Sequence, residues 1–311
     1  MLGRYPIPLK SVGQVLIKAL SPESFPGVPE AYYDILVRVR LPRVLLALMA
    51  GAALSVSGAS LQALFRNPLV NEYILGISHG AAFGAAVSLV LVGKAFPVQV
   101  GAFVFALLAV LAVLTISGRS ESHTVSLLLT GIIVSAFFQA LLALIEFFAN
   151  PYALQSLFFW LMGSLSLASW KSLAVSLPVM AAGVCLLILM RWRINVLSLS
   201  EEEARALGVH VRREKMIIIL LATLCTAAAT AVAGVIGWIG LIVPHLVRMV
   251  FGADNRKVIP ISAALGASVL IIADDITRIV ASFEIPIGIL TSLIGIPFFI
   301  ALLKRSGKVW L

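Results

Sequence analysis

The sequence predicts an all-α polytopic membrane protein, and three observations predict it. Hydrophobic residues make up 61% of the 311 and charged residues only 12%, with a mean hydropathy of +1.08. A soluble domain is nearer half apolar and about a quarter charged. Apolar runs of the ~20 residues needed to cross a bilayer recur along the whole chain. These runs are continuously apolar, whereas the strands of a membrane β-barrel alternate apolar with polar.

Residues 1–42 precede the first span. Pro6, Pro8, Pro22, Pro26 and Pro29 interrupt them, and Arg4, Lys10, Lys18, Arg38 and Arg40 charge them. Only Leu9 to Leu20 reads as helix, and it is too short and too polar to span. It also lacks the apolar core of a signal peptide. Spans are expected at about 43–65, 72–93, 96–117, 124–148, 172–191, 214–235, 240–252, 258–280 and 286–303.

An Arg-Leu-Pro-Arg corner at 40–43 opens the first span, which is rich in small residues and ends at Arg66-Asn67-Pro68-Leu69. The second carries Gly76, Gly80 and Gly84 at four-residue spacing, which permits close helix packing. Between 149 and 171 lies a mixed stretch whose Trp160 and Trp170 suit a membrane interface. The segment 240–252 is short and contains Pro244, and can continue from a bend at Gly237 and Gly240.

Charge orients the bundle. The connections at Arg66, Arg119, Arg191 to Lys215, Arg248 to Lys257 and Lys304 to Lys308 hold 14 of the 23 Lys and Arg. They alternate with poorer connections at Lys94, Lys171 and Arg278, so the rich set is expected in the cytoplasm. Nine spans ending inside put 1–42 outside, which is awkward for a basic segment unless a helix precedes it. The domain reading is therefore an extracytoplasmic segment, 1–42, and a transmembrane domain, 43–311.

The longest rich connection, 192–213, holds Ser200 followed by Glu203, a capping box. Glu201 and Glu202 favour the first turn of the helix it starts, and Gly208 is a natural closing residue. The stretch reads either as a solvated loop or as a docking element; caps at both ends favour the second.

The net charge of +9 lies between apolar runs and forms no basic domain, so nucleic-acid binding is not expected. Cys185 and Cys225 sit inside apolar runs without metal-ligand or redox spacing. His79 and Glu146 lie in or near apolar runs, where polar groups are costly. His79 either lines a pathway or bonds a neighbouring carbonyl; the second is preferred.

Four blocks carry a resemblance: RLPRVLLALMAGAALSVSGASLQALFRNPL at 40–69, LSLSEEEARALGV at 197–209, GVIGWIGLIVPHLVR at 234–248 and EIPIGILTSLIGIPFFIALL at 284–303. The chain resembles the permease subunits of type II ABC importers, the FecCD-type family, which carries iron–siderophores, haem and cobalamin. The family has ten membrane helices, the first of them before a segment seen here as Gly3-Arg4-Tyr5-Pro6-Ile7. The resemblance thus implies that the first helix is absent and that about nine remain.

The resemblance implies roles residue by residue. Arg40, Arg43 and Arg278 match arginines that receive acidic residues of a substrate-binding protein, a task suited to the planar guanidinium. Arg40 and Arg43 can otherwise snorkel, and Arg278 can pair within its helix with Asp274 or Asp275. Ser198 and the helix Ser200, Glu201, Glu202, Glu203, Ala204, Arg205, Ala206, Leu207 and Gly208 match the coupling helix, about 198–209, that enters a cleft of the ATPase. Asn67, Leu69, Thr124 and Val125 match a cytoplasmic gate; a plain helix-end turn is the alternative. His123 beside that gate reads as a solvated loop histidine, and His245 as structural.

No GxxxxGK[ST] loop is present, so ATP hydrolysis belongs to a separate chain. No cofactor is expected on this chain; ATP and Mg sit on the ATPase. The implied partners are a second permease copy, two ATPase subunits and an extracytoplasmic binding protein, in the inner or cytoplasmic membrane. The four histidines occupy separate segments without HExxH, which argues against an intramembrane enzyme. An ion-driven carrier would show midplane charges and repeated halves. The chelate is not named by the sequence, and an oxyanion such as molybdate is the alternative substrate.

Overall fold

The computed structural model describes residues 5–21, 25, 27–118, 123–280 and 283–306. Gly3, Arg4, Arg119 and Lys308, and the side chains of His123 and Thr124, lie outside the described set. The described residues form helices and no strands.

Helix α1, Leu9–Leu20, lies apart from the main core. Its Val12 and Val15 pack with Val28 and Leu36 in a small cluster of their own. Helix α2 runs unbroken over Glu30–Phe65. This corrects the expected corner at 40–43 and the boundary between 42 and 43, which falls inside one helix. Residues Asp34–Arg40 form a π-helical stretch, in which the Leu41 amide reaches back to the Leu36 carbonyl. That wider register changes which carbonyls the next amides take. Pro42, second in the α-helical part, therefore enters without breaking the rod.

Arg66, at φ 49°, ends α2 with the Asn67 amide on the Gln62 carbonyl and its own on Ala63. The next helix begins later than the expected residue 72. The Asn67 and Asn71 side chains accept from the amides of Leu69 and Tyr73, at 2.9 and 3.2 Å, and Gly76 turns at φ 78°. Asparagine offers the backbone an alternative to helix, and 67–76 takes it. Helix α3 is then Ile77–Val92.

The remaining elements are α4 Val98–Ile116, α5 His123–Phe148, α6 Pro151–Leu161, α7 Trp170–Leu189, α8 Arg191–Leu197, α9 Glu201–Ala206, α10 Val211–Ala233, α11 Ile239–Phe251, α12 Asn255–Ile279 and α13 Ile287–Ser306. Each of the nine expected spans holds a helix. Among the described residues, six helices are long and apolar enough to cross a membrane, while α3, α11 and α13 are shorter apolar helices. The mixed stretch supplies α6, started by the Asn150 side chain accepting from the Ala153 amide at 2.9 Å. The segment 240–252 does not continue α10: Gly234, at φ 70°, and Trp238, at φ 72°, separate α11 as its own helix.

Helix α2 is the central rod. Small residues let its backbone touch neighbours, because packing rather than hydrophobicity joins helices in lipid. A Cβ on Gly58 would lie 1.8 Å from the Gly240 carbonyl oxygen of α11, and one on Gly51 2.3 Å from that of Gly266 in α12. On α3, Gly80 and Gly84 serve the expected close packing against α4, whereas Gly76 serves the turn.

Candidate functional site

The charge-poor end holds the three arginines expected to dock a partner. They converge, but not as free side chains. The Arg43 Nε donates to both Asp274 oxygens, at 2.9 and 3.1 Å, and its Nη2 lies 2.9 Å from Oδ1. Its Nη1 donates to Glu284 at 2.9 and 3.1 Å. The Arg278 Nε lies 3.3 Å from Asp274 Oδ2, and its Nη2 donates to Asp275. The Arg40 Nη2 donates to the Tyr5 carbonyl at 2.7 Å, and Arg40 is within electrostatic reach of Arg278 and Asp275.

All three arginines are buried, and three carboxylates stand among them: Asp274 out of water, Asp275 largely so and Glu284 partly exposed. Burial is tolerable because the charges are matched and multiply hydrogen-bonded. Arg278 makes both of the intrahelical pairs that its spacing from Asp274 and Asp275 allows. The sequence reading assigned no role to Glu284, nor to Asp274 as a partner of Arg43. The available signal was the charge sum: three arginines at one rim of a membrane protein require nearby acids.

The expected gate residues lie at the opposite, basic end. Asn67 forms a self-satisfied turn, its side chain taking the Leu69 amide and its carbonyl the Val70 amide at 3.3 Å. Leu69 and Val125 present exposed apolar side chains at the start of this turn and of α5. Thr124 occupies the first turn of α5. Beyond the turn, Glu72 is buried, and its Oε1 has no hydrogen-bond partner among the described residues. His79 Nδ1 is likewise unpartnered there, and its ring meets the Tyr73 ring edge-on at 5.9 Å. Glu146 is half-buried in the last turn of α5. The His245 ring meets that of Phe299 edge-on, with centroids 6.5 Å apart.

At the same end α9 has the capping box expected of it. The Glu203 amide donates to Ser200 Oγ at 3.2 Å, and the Ser200 amide to Glu203 Oε2 at 2.9 Å. Gly208, at φ 78°, closes the helix, with the Val209 amide on the Ala204 carbonyl at 3.1 Å. The Lys215 Nζ, on α10, donates to Glu201 Oε1 at 2.6 Å. This bond, first among its causes, holds the Glu201 carboxyl below its ordinary range. The hydrogen bonds from Ser200 do the same for Glu203. Ala204 is buried, while Glu202, Arg205, Ala206 and Leu207 face outward. Ser198 donates to the Asn195 carbonyl at 2.6 Å, and Asn195 Oδ1 takes the Asn255 amide at 2.9 Å, tying α8 to α12. The result is a short helix held on its inner face and presented on its outer one.

Ser200→Ala is expected to fray α9, at a cost of about 0.5–2 kcal/mol for the lost cap. The measurement is amide hydrogen exchange across 201–206. Unchanged protection would mean that the Lys215 contact alone holds the helix.

The hemin transport system permease protein HmuU of Yersinia pestis is 41% identical over 286 residues, covering 90% of this chain and 86% of that one. The molybdate import system permease protein MolB of Haemophilus influenzae is 36% identical over 312 residues, covering 98% and 91%. A solved metal-chelate type ABC transporter in an inward-facing conformation superposes with a TM-score of 0.85 at 34% identity, covering 95% of this chain and 98% of that one. The type II importer permease fold is therefore the fold of this chain. The model of the FecCD transport family matches residues 1–305. The chain belongs to the FecCD transport family, as a multi-pass membrane permease of an ABC importer, a transport component rather than an enzyme.

Proposed function

We propose that two copies of this chain form a pathway for a metal chelate of the iron–siderophore, haem or cobalamin class. In this reading a binding protein delivers the chelate at the end bearing Arg40, Arg43 and Arg278. Two ATPase subunits, which hold ATP and Mg, dock at the opposite end on α9, and the chain itself binds no cofactor. The assembly lies in the inner or cytoplasmic membrane. The ATPase drives alternation between outward-open and inward-open states, with Asn67, Leu69, Thr124 and Val125 at the inner closure.

One observation carries the reading: α9 is capped at both ends and clamped to α10 through Lys215, yet turns Glu202, Arg205 and Leu207 outward. A connection that only joins two spans needs no such rigidity. A rigid, outward-facing helix can transmit a push from a partner. The chelate class is supported by the hemin permease HmuU. The likeness to MolB over 98% of this chain supports a second reading, an oxyanion such as molybdate.

The test is uptake into proteoliposomes holding the permease, its ATPase and its binding protein. Radiolabelled ferric chelate, hemin, cobalamin and molybdate are offered in turn. Uptake of a chelate is expected to require ATP, to be unaffected by a protonophore and to exceed molybdate uptake at least tenfold. Uptake that follows the proton gradient without ATP would mean an ion-driven carrier. ATP-dependent uptake of molybdate alone would mean the oxyanion reading.

A further inference from the structure

The ion-pair cluster at the charge-poor end contains two carboxylates in unlike settings. The Asp274 side chain is 1% exposed and accepts from both Arg43 and Arg278. The Glu284 side chain is 39% exposed and accepts from Arg43 through a single nitrogen, Nη1. Arg43 is thus held from below by an acid that water does not reach, and met from above by one that water does.

Glu284 also sits at a junction. It precedes Ile285, whose amide donates to the Thr277 carbonyl of α12 at 3.4 Å. The Ile287 and Gly288 amides then bond the carbonyls of Gly163 and Met162, at 2.9 and 3.0 Å, just past α6. Through the Arg43 pair, the start of α13 is fastened to the central rod α2. Gly288 and Ile289, at that start, line a cavity of about 370 Å³ together with Tyr73 and Met162.

We infer that Asp274 is the positioning residue for Arg43 and Arg278, and that Glu284 is an internal stand-in for a partner's carboxylate. This rests on the proposed docking of a binding protein at these arginines. Asp274 keeps two guanidinium groups aimed at the rim. Glu284 occupies the outward nitrogen of Arg43 while no partner is present. An arriving carboxylate must displace it, and displacement unfastens α13 from α2 beside the cavity. Docking is thereby linked to a helix start that is both clipped to the rim and part of the cavity wall. The exchange costs little, because one partly hydrated Arg–carboxylate pair replaces another, while the buried Arg43–Asp274 pair stays intact.

The test measures the affinity of the binding protein for the permease–ATPase complex in nanodiscs. Wild type is compared with Glu284→Gln, Asp274→Asn, Arg40→Gln and Arg43→Gln. Glu284→Gln removes a competitor and is expected to tighten docking by about two- to fivefold. Asp274→Asn is expected to weaken it. A purely structural role for both acids would move the two variants in the same direction. Unchanged or weaker docking in Glu284→Gln, with Arg43→Gln weakened, overturns this inference and leaves the docking reading standing. Affinity unchanged in both arginine variants overturns both. If Asp274→Asn does not fold, Glu284→Gln decides alone, since its side chain is partly in water and its thermal midpoint is the check.

Discussion

Gly58→Leu is expected to abolish folding of this protein in the membrane. A Cβ at this position would stand 1.8 Å from the Gly240 carbonyl oxygen and 2.7 Å from its Cα. Both are backbone atoms of α11, so no side-chain rotation can relieve the clash. Nor can α11 shift alone. The Gln62 side chain, one turn further along α2, donates to the carbonyls of Gly240 and Leu241 at 3.3 and 3.4 Å. Arg248 of α11 returns to Gln62, and to the Ala59 carbonyl at 3.2 Å. Moving α11 outward to admit the new side chain breaks this set of bonds, in surroundings without water to replace them. Overpacking alone commonly costs about 1–3 kcal/mol, and the loss of buried polar contacts adds to it. The measurement is the monodisperse fraction on size exclusion in detergent, with the midpoint of thermal unfolding. Gly13→Ala is the control, because nothing lies within 4 Å of a Cβ there, on the outlying α1. A monodisperse Gly58→Leu protein with a wild-type midpoint would sink the argument.

The same positions show how far the sequence could be read. Small residues at 47–63 and the Gly76, Gly80, Gly84 row announce close helix contact, because only packing explains them in an apolar run. They do not say which helix is touched. That Gly58 meets Gly240 and Gly51 meets Gly266 depends on residues far apart in the chain. Local hydrogen-bond competition was similarly legible only in part. Ser200 with Glu203 is a local pattern, and α9 follows it. Asn67 and Asn71 are equally local, but their effect was masked by the apolar residues Leu69, Val70, Ile74 and Leu75. The Arg-Leu-Pro-Arg run looked like a corner because proline usually interrupts a helix. The π-helical register that carries α2 through it has no simple sequence signal. At the candidate docking end, the arginines stood out by charge, whereas their acids did not. Asp274 was legible only as a neighbour of Arg278 on one helix. Its bond to Arg43 spans α2 and α12, and that of Glu284 spans α2 and the lead into α13. Paired charges distant in sequence leave no periodic trace.

Charge reversal at Arg43 is expected to destabilise the fold strongly, because Arg43 alone bonds both Asp274 and Glu284 among the described residues. Arg43→Glu would set a third carboxylate beside Asp274 and Glu284 with no cation between them. Asp274 would keep Arg278, but Arg278 is already shared with Asp275. Removing one partner of a buried pair costs about 3–5 kcal/mol, and adding a like charge raises the cost further. The expected result is a clear drop in the unfolding midpoint of the purified permease, with no binding protein present. A loss of docking in this variant is therefore ambiguous by itself, since a collapsed rim docks nothing. Salt separates the two causes. Contacts between a partner and the rim pass through water and are screened over about 8–10 Å at ordinary ionic strength. The Arg43–Asp274 pair is buried and is screened far less. If the pair holds the fold, the stability loss of Arg43→Glu persists at high salt, and Arg43→Glu with Asp274→Arg recovers part of it. A wild-type midpoint in Arg43→Glu would show instead that Asp274 and Glu284 find other cations, and that Arg43 is free to serve a partner alone.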